Sequence, residues 1–197
     1  MAQKRRRPTY EFKPDREKSS LLKLFHLTRL QKLQLLQWSL YGVLCLFLLV
    51  VQDVVMSKVH IRGATTDLVP TAILLICVVS DAYNGSLFAI IASTLFVFSG
   101  SSPGPYTIAF ITVLGVGAAL FRQSFWRRGF RSHILCAGLA LLGYELAIWG
   151  TGVFLGLTYW SRIGVFALTW VYSFLVMLAL YPLIRRIQKI GGEAWRE

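Results

Sequence analysis

The residue that could carry chemistry in this sequence is one glutamate inside a long apolar run. Glu145 lies in the stretch LALLGYELAIWG, residues 139–150, where it is the only charged side chain. A carboxyl group in the middle of an apolar helix is costly to bury unless it is paired or neutral, so such a residue indicates a functional site. Its chemistry depends on which groups lie nearby.

Catalysis would require a nucleophile with its base, a pair of carboxylates or a set of metal ligands. The other acidic residues between the tails are Asp53, Asp67 and Asp81, and each falls at the boundary of an apolar run. Asp53 and Asp67 are predicted on one side of a membrane and Asp81 on the other. We therefore expect no carboxylate pair, and the sequence predicts no enzyme, no catalytic residue, no metal site and no cofactor.

The elements that position Glu145 follow from composition. Hydrophobic residues make up 55% of the chain and charged residues only 15%, and the mean hydropathy is +0.58. These values are typical of a membrane protein. Cys45, Cys77 and Cys136 each lie inside an apolar run without CxxC spacing, which predicts packing rather than metal binding.

A spanning helix requires about 20 mostly apolar residues. Six runs are candidates: Leu35–Val55, Leu68–Ala82, Ser86–Ser99, Tyr106–Arg122, Ser132–Leu157 and Ile163–Leu183. The second and third are short, so they could be sheltered short helices or a re-entrant hairpin. The predicted fold class is an all-α integral membrane protein with about six transmembrane helices.

The basic residues predict orientation. All but three of the 21 lysines and arginines lie on one side of this scheme, and the exceptions are Lys58, Arg62 and Arg162. Because basic loops stay in the cytoplasm, both termini are predicted to be cytoplasmic. Membrane orientation also accounts for the net charge of +12, and no nucleic-acid partner is predicted.

The chain divides into four predicted segments. Residues 1–18 form a disordered basic cytoplasmic tail, 19–34 an amphipathic interfacial helix, 35–190 the polytopic transmembrane domain and 191–197 a cytoplasmic tail. Five basic residues are candidates for contact with anionic lipid or a cytoplasmic docking partner. They are Lys23, Arg29, Lys32, Arg127 and Arg128.

Two roles for Glu145 follow from its neighbours. Gly143 and Ala147 are four residues apart, which is the spacing of small residues at helix contacts. Together with Tyr144 and Glu145 they are candidates for contact with a partner helix, an ion or a substrate. Alternatively, a neutral Glu145 hydrogen-bonds to the next helix and only joins the two helices. Its candidate partners there are Thr169, Tyr172 and Ser173.

The order of features resembles the MreD family of rod-shape-determining proteins. Gly63 through Asp67, Leu68 and Pro70 match that family's entry to the second helix, and Ser99, Gly100 and Pro103 match its turn after the third. The basic loop RQSFWRRGFR follows, then the Tyr144–Glu145 pair. The closing helix ends in Tyr181, Pro182, Leu183, Arg185 and Arg186.

The resemblance covers roughly residues 35 to 190. It implies a non-enzymatic scaffold in the bacterial cytoplasmic membrane that regulates cell shape. Such a scaffold binds a single-span MreC-like protein and, indirectly, MreB and the peptidoglycan synthases. The family's helical arrangement is also similar to substrate-binding subunits of energy-coupling-factor vitamin transporters. In that alternative the same helices enclose an external pocket under the turn at residues 99–106, lined by Trp149 or Trp160.

Overall fold

The computed structural model describes residues 29–56, 58, 63–125 and 129–190. Its six α-helices are α1 Arg29–Val51, α2 Leu68–Val79, α3 Ala82–Phe98, α4 Tyr106–Phe125, α5 Phe130–Phe154 and α6 Ile163–Ile190. A π-helical turn, Gln52–Met56, extends α1, and a 3-10 turn, Trp160–Arg162, precedes α6. The predicted tails, the segment 19–28, Lys23, Arg127 and Arg128 lie outside the described residues.

The helices confirm the predicted fold class. Four apolar segments are long enough to cross a membrane, namely Gln31–Val54, Tyr106–Ser124, Phe130–Phe154 and Trp160–Ile190. The other two helices are shorter, with 12 residues in α2 and 17 in α3. At helical rise, α2 is only about 18 Å long. The chain is an all-α protein with the helices of a multi-pass membrane protein.

The short helix α2 lies at the centre of the bundle. It packs against α1, α3, α4, α5 and α6, which surround it as a ring. All twelve of its residues are buried, and Thr71 is the only polar one. A helix too short to cross a bilayer unaided is therefore sheltered from lipid by its neighbours. Of the two predicted arrangements, the sheltered short helix is the one observed.

Two glycines let neighbouring helices approach α2 closely. A Cβ atom on Gly85 of α3 would lie 2.9 Å from the Cys77 backbone oxygen, and one on Gly115 of α4 would lie 3.2 Å from the Cys77 sulfur. Only a residue without a side chain permits the first of these contacts. All three cysteines are free and buried, as their apolar surroundings predict.

The two ends of the bundle differ in charge. Arg122, Arg131, Arg185 and Arg186 lie at the end where α4 and α6 finish and α5 begins, and we call it the basic end. The opposite end carries the turn between α3 and α4. The turn between α2 and α3 lies at the basic end, because the Arg122 guanidinium donates to the backbone oxygens of Val79 and Ser80. The turn that joins the two short helices is thus at the basic end, and both helices extend from it toward the opposite end.

The first helix is longer than its predicted span. It begins at Arg29 within the described residues and continues without a break through residue 35, where the transmembrane domain was expected to start. Lys32 is exposed on this first part of the helix. Within the described residues, residues 29–34 are therefore continuous with the first span in one helix.

Candidate functional site

An open cleft lies at the end of the bundle opposite the basic end. Its volume is about 440 Å³, which is within the range of small-molecule sites. The lining is mostly polar and comes from three segments: Gln52, Asp53, Thr65, Thr66, Asp67, Ser99, Gly100 and Ser101. We call this end the cleft end.

Side-chain hydrogen bonds hold the three segments together. The Gln52 Oε1 accepts a hydrogen bond from the Val69 backbone N–H at 2.9 Å, which joins the π-helical turn to the start of α2. The Ser101 hydroxyl donates to the Asp53 carboxylate, which joins the same turn to the segment after α3. Gly100 reverses the chain there with φ +79°, a conformation that favours glycine. The walls of the cleft are therefore fixed by specific polar contacts.

Asp67 of the cleft lining lies next to a second carboxyl group, which is outside the lining. Asp67 precedes α2 and is half-buried, and its carboxyl group is hydrogen-bonded to that of Glu145 on α5. Two carboxyl groups in hydrogen-bond contact hold a proton between them, because one oxygen must donate. Glu145 is only 3% exposed, so it lies deeper in the bundle than the half-buried Asp67.

Burial also acts on Asp67 itself. Loss of water around it raises the pKa of the Asp67 carboxyl, and the hydrogen bond from Glu145 works against that rise. The backbone N–H of Asp67 donates to the Ser173 hydroxyl at 3.0 Å, so α6 also fixes the position of this residue. Asp67 is consequently held by contacts to both α5 and α6.

Further polar groups surround the carboxyl pair. The Tyr144 side chain is fully buried and lies within electrostatic range of Asp67 and Glu145, and its hydroxyl lies beside Thr107 of α4. Among the described residues, no hydrogen-bond partner is present for the Thr107 hydroxyl, the Tyr144 hydroxyl or the Glu145 Oε1. We call Asp67, Glu145, Tyr144 and Thr107 the carboxyl cluster.

Polar atoms that are buried at this depth without a hydrogen-bond partner lower the stability of the fold. A buried donor or acceptor without a partner costs about 1–3 kcal/mol. Three such atoms in one cluster exceed what packing alone requires, and the cluster borders an open cleft through Asp67. Among the described residues, the cluster offers no nucleophile next to a base.

No family model, curated protein or solved structure matches the chain. The function therefore has to be inferred from its own residues and geometry.

The proximity of Asp67 to Glu145 differs from the expectation that the sequence forms no carboxylate pair. Asp67 was placed at a membrane boundary because it precedes an apolar run. Since α2 extends only about 18 Å from the basic end, its first residue lies below that boundary, at the depth of Glu145. The proposed bonds from Glu145 to Thr169, Tyr172 or Ser173 are absent among the described residues, and Ser173 instead accepts from Asp67.

The candidate partner-helix residues point into the bundle. Tyr144 and Glu145 are buried, and a Cβ atom on Gly143 would lie 3.2 Å from the Leu114 side chain of α4. Ala147 is half-buried. The side chains of Tyr144 and Glu145 are therefore not available on the lipid-facing surface.

The transporter-like alternative predicted an external pocket under the turn at residues 99–106. A cleft does lie there, with Ser99 and Ser101 in its lining, but Trp149 and Trp160 do not line it. These two tryptophans instead pack edge to face, with ring centroids 4.9 Å apart. Of the described cytoplasmic-contact candidates, Lys32 is exposed, and the side chain of Arg29 lies outside the described set.

Proposed function

We propose that this protein is a non-enzymatic membrane scaffold of the MreD type. In this proposal it lies in the bacterial cytoplasmic membrane, binds a single-span MreC-like protein and helps to regulate cell shape. MreB and the peptidoglycan synthases are then indirect partners, and anionic lipid contacts the basic end.

The observation that carries the proposal is the convergence of motifs that are distant in sequence. Asp67, the Ser99–Gly100 turn and the Tyr144–Glu145 pair each belong to a separate part of the MreD resemblance. Asp67 and the turn line one cleft, and Tyr144 and Glu145 join Asp67 beneath it. A shared site gives these short motifs a common physical purpose and supports contact with a partner at the cleft end.

The remaining motif lies at the basic end. Tyr181 of α6 is buried and packs edge to face on Phe130, with ring centroids 4.9 Å apart, while Arg185 and Arg186 are exposed. This pattern suits a membrane surface of anionic lipid, since exposed arginines next to an apolar anchor favour the interface. The proposal therefore assigns partner binding to the cleft end and lipid contact to the basic end.

Purification in a mild detergent from a strain that makes the protein at native levels tests the proposal. We expect an MreC-like protein to co-purify. Thr66→Trp fills the cleft and should reduce that recovery at least tenfold, whereas Asn84→Trp, at an exposed position on α3, should not. Recovery of an ATP-binding cassette pair without any elongation protein would contradict the scaffold.

One observation favours the transporter subunit as a second candidate. The cleft has a volume within the range of small-molecule sites. For that function the protein should co-purify with an ATPase pair and its loss should create a nutrient requirement. Under the scaffold proposal, its loss should alter cell shape and leave nutrient needs unchanged.

A further inference from the structure

We propose that the exposed side of α3 thins the bilayer next to it and therefore fits phospholipids with short or splayed acyl chains. We call this surface the α3 face, and its exposed apolar residues are Leu87, Ile90, Ile91, Leu95 and Phe98. The inference stands on the geometry of α3 and does not depend on whether the protein is a scaffold or a transporter subunit.

The α3 face has the pattern of a surface in contact with lipid. Its apolar residues recur every three or four positions along the helix, whereas the other side of α3, which includes Gly85, Phe88 and Phe96, is buried in the bundle. Shelter by neighbouring helices therefore accounts for the shortness of α2 but not for that of α3. A short helix with an exposed apolar side meets the bilayer directly.

Polar groups limit the height of the α3 face. The helix has 17 residues and is about 26 Å long, and irregular backbone lies at both of its ends, at residues 80–81 and 99–101. Asn84 is exposed in the first turn, which leaves an apolar side of about 23 Å between Asn84 and Ser99. The hydrocarbon core of a typical bilayer is about 30 Å thick, so the α3 face is about 4–7 Å too short.

The bilayer has to supply the adjustment to this mismatch. Tilting only reduces the height that a helix spans, so it cannot lengthen the α3 face. Irregular backbone that enters the hydrocarbon beside lipid leaves N–H and C=O groups without partners, which is costly. Thinning of the bilayer costs only a modest free energy for each ångström. The lipid next to α3 is therefore expected to thin.

The long helices present a taller apolar surface. On α6 it extends about 33 Å from Ile163 to the exposed Arg185, and on α5 about 35 Å from the exposed Arg131 to Phe154. Trp160 is exposed between these two helices at the cleft end, as tryptophan is at membrane interfaces. A bilayer of ordinary thickness fits these helices with a modest tilt. The expected thinning is therefore local to α3.

Thinning at α3 brings lipid headgroups to the cleft. Phe98 ends the α3 face, and Ser99, Gly100 and Ser101, which follow it directly, line the cleft. A headgroup layer that descends along α3 then lies at the level of these three residues. Lipid headgroups therefore border the cleft on its α3 side.

Cysteine reactivity in nanodiscs of dioleoylphosphatidylcholine tests the proposal. Cys45, Cys77 and Cys136 are buried, so the wild-type chain gives the background. Tyr83→Cys and Phe98→Cys place thiols at two highly exposed positions about 23 Å apart, neither of which lines the cleft. A water-soluble maleimide should modify both thiols. Without thinning, a hydrocarbon core of about 30 Å has to cover at least one of them.

The matched control is a similar pair of exposed positions on α6. Ala167→Cys and Leu183→Cys lie about 24 Å apart within its taller apolar surface, so both thiols stay inside the hydrocarbon. We expect each α3 thiol to react roughly tenfold faster than either α6 thiol. Slow reaction at either α3 position, or equal rates on the two helices, would overturn the proposal.

A fluorescent label distinguishes lipid from protein at the α3 face. Ile91→Cys lies in the middle of this face and can be labelled with a bimane in detergent before reconstitution. Phospholipids brominated on their acyl chains should quench this label more strongly than one at Thr66→Cys, which lines the cleft. Equal quenching at the two positions would mean that a second copy or another protein covers α3, and it would overturn the proposal.

Discussion

The two ends of the bundle each bury a polar cluster, but the two clusters differ in whether their polar atoms have hydrogen-bond partners. At the basic end, the Gln188 Oε1 accepts hydrogen bonds from Tyr41 at 2.7 Å, from Gln37 at 3.2 Å and from Ser80 at 3.2 Å. At the cleft end, three polar atoms of the carboxyl cluster have no partner among the described residues. One cluster is complete and the other is open.

The comparison distinguishes polar side chains that join helices from polar side chains that are left without a hydrogen-bond partner. Gln188 joins α1, α2 and α6, and Arg122 satisfies the last carbonyls of α2, so these two polar side chains of the basic end form helix contacts. The carboxyl cluster leaves hydrogen-bonding capacity unused beside an open cleft. Such incomplete networks are costly, and they are expected where another molecule completes them.

The largest effect should come from the complete cluster. Gln188→Leu removes the acceptor of three donors, two of which, Tyr41 and Ser80, are buried, and should lower the free energy of unfolding by about 2–4 kcal/mol. Thermal unfolding in detergent measures the loss. Gln123→Leu, at an exposed position on α4, is the matched control and should change stability little. Similar losses in both variants would contradict a structural role for the Gln188 contacts.

A smaller loss is expected where α2 and α3 meet near the basic end. A methyl group on Gly85 would lie 2.9 Å from a backbone oxygen that cannot rotate away, so Gly85→Ala should cost about 1–3 kcal/mol. Gly117→Ala on α4 meets no atom within 4 Å and should be neutral or slightly stabilising, since alanine favours helices. Denaturation of both variants in the same detergent compares them. A stable Gly85→Ala protein would rule out the close approach of α3 to α2.

Substitutions in the open cluster should affect binding more than stability. Glu145→Gln keeps a hydrogen-bond donor toward Asp67, and Glu145→Leu replaces an acid that has an unpartnered oxygen. We expect each to change the free energy of unfolding by less than about 1 kcal/mol. Recovery of the partner should persist with Gln and fall with Leu. Equal loss of the partner with both would mean that the glutamate's own proton or charge is required.

The smallest expected effect is a pH dependence of stability. Burial raises the pKa of Asp67 in the folded protein above its unfolded value, so the folded state binds more protons between those two pKa values. Stability should therefore increase as the pH falls from 7 to 5, with a rise in melting temperature of about 1–3 °C. Asp67→Asn should reduce this slope, and Asp53→Asn should not. An unchanged slope in Asp67→Asn would assign the pH effect to other groups.

The sequence predicts the helices better than it predicts the site. Apolar runs of about 20 residues identify the four long helices, because a bilayer imposes one length on them. The central position of α2 is not visible in its composition, since an apolar run has the same pattern whether protein or lipid covers it. The shortness of the run Leu68–Ala82 was the signal available in the sequence.

The same length explains why the carboxyl pair was missed. A residue that precedes an apolar run is placed at the membrane boundary only if the run spans the bilayer. A count of helical rises upward from the basic end would have placed Asp67 near the depth of Glu145. Charge counting likewise did not predict the contacts of Arg122, which it uses only as a cytoplasmic cation. In the structure it is 8% exposed and caps α2.

The central position of α2 also determines when this helix can reach its final position during biosynthesis. The chain emerges from its N-terminus, so α2 is made before α3, α4, α5 and α6, which provide most of its shelter. A helix of about 18 Å cannot settle across the bilayer alone. We therefore expect α2 to stay at the insertion machinery or against α1 until the later helices pack around it. Truncated chains that end after α3 should be recognised as immature and degraded, whereas chains that reach the end of α6 should persist.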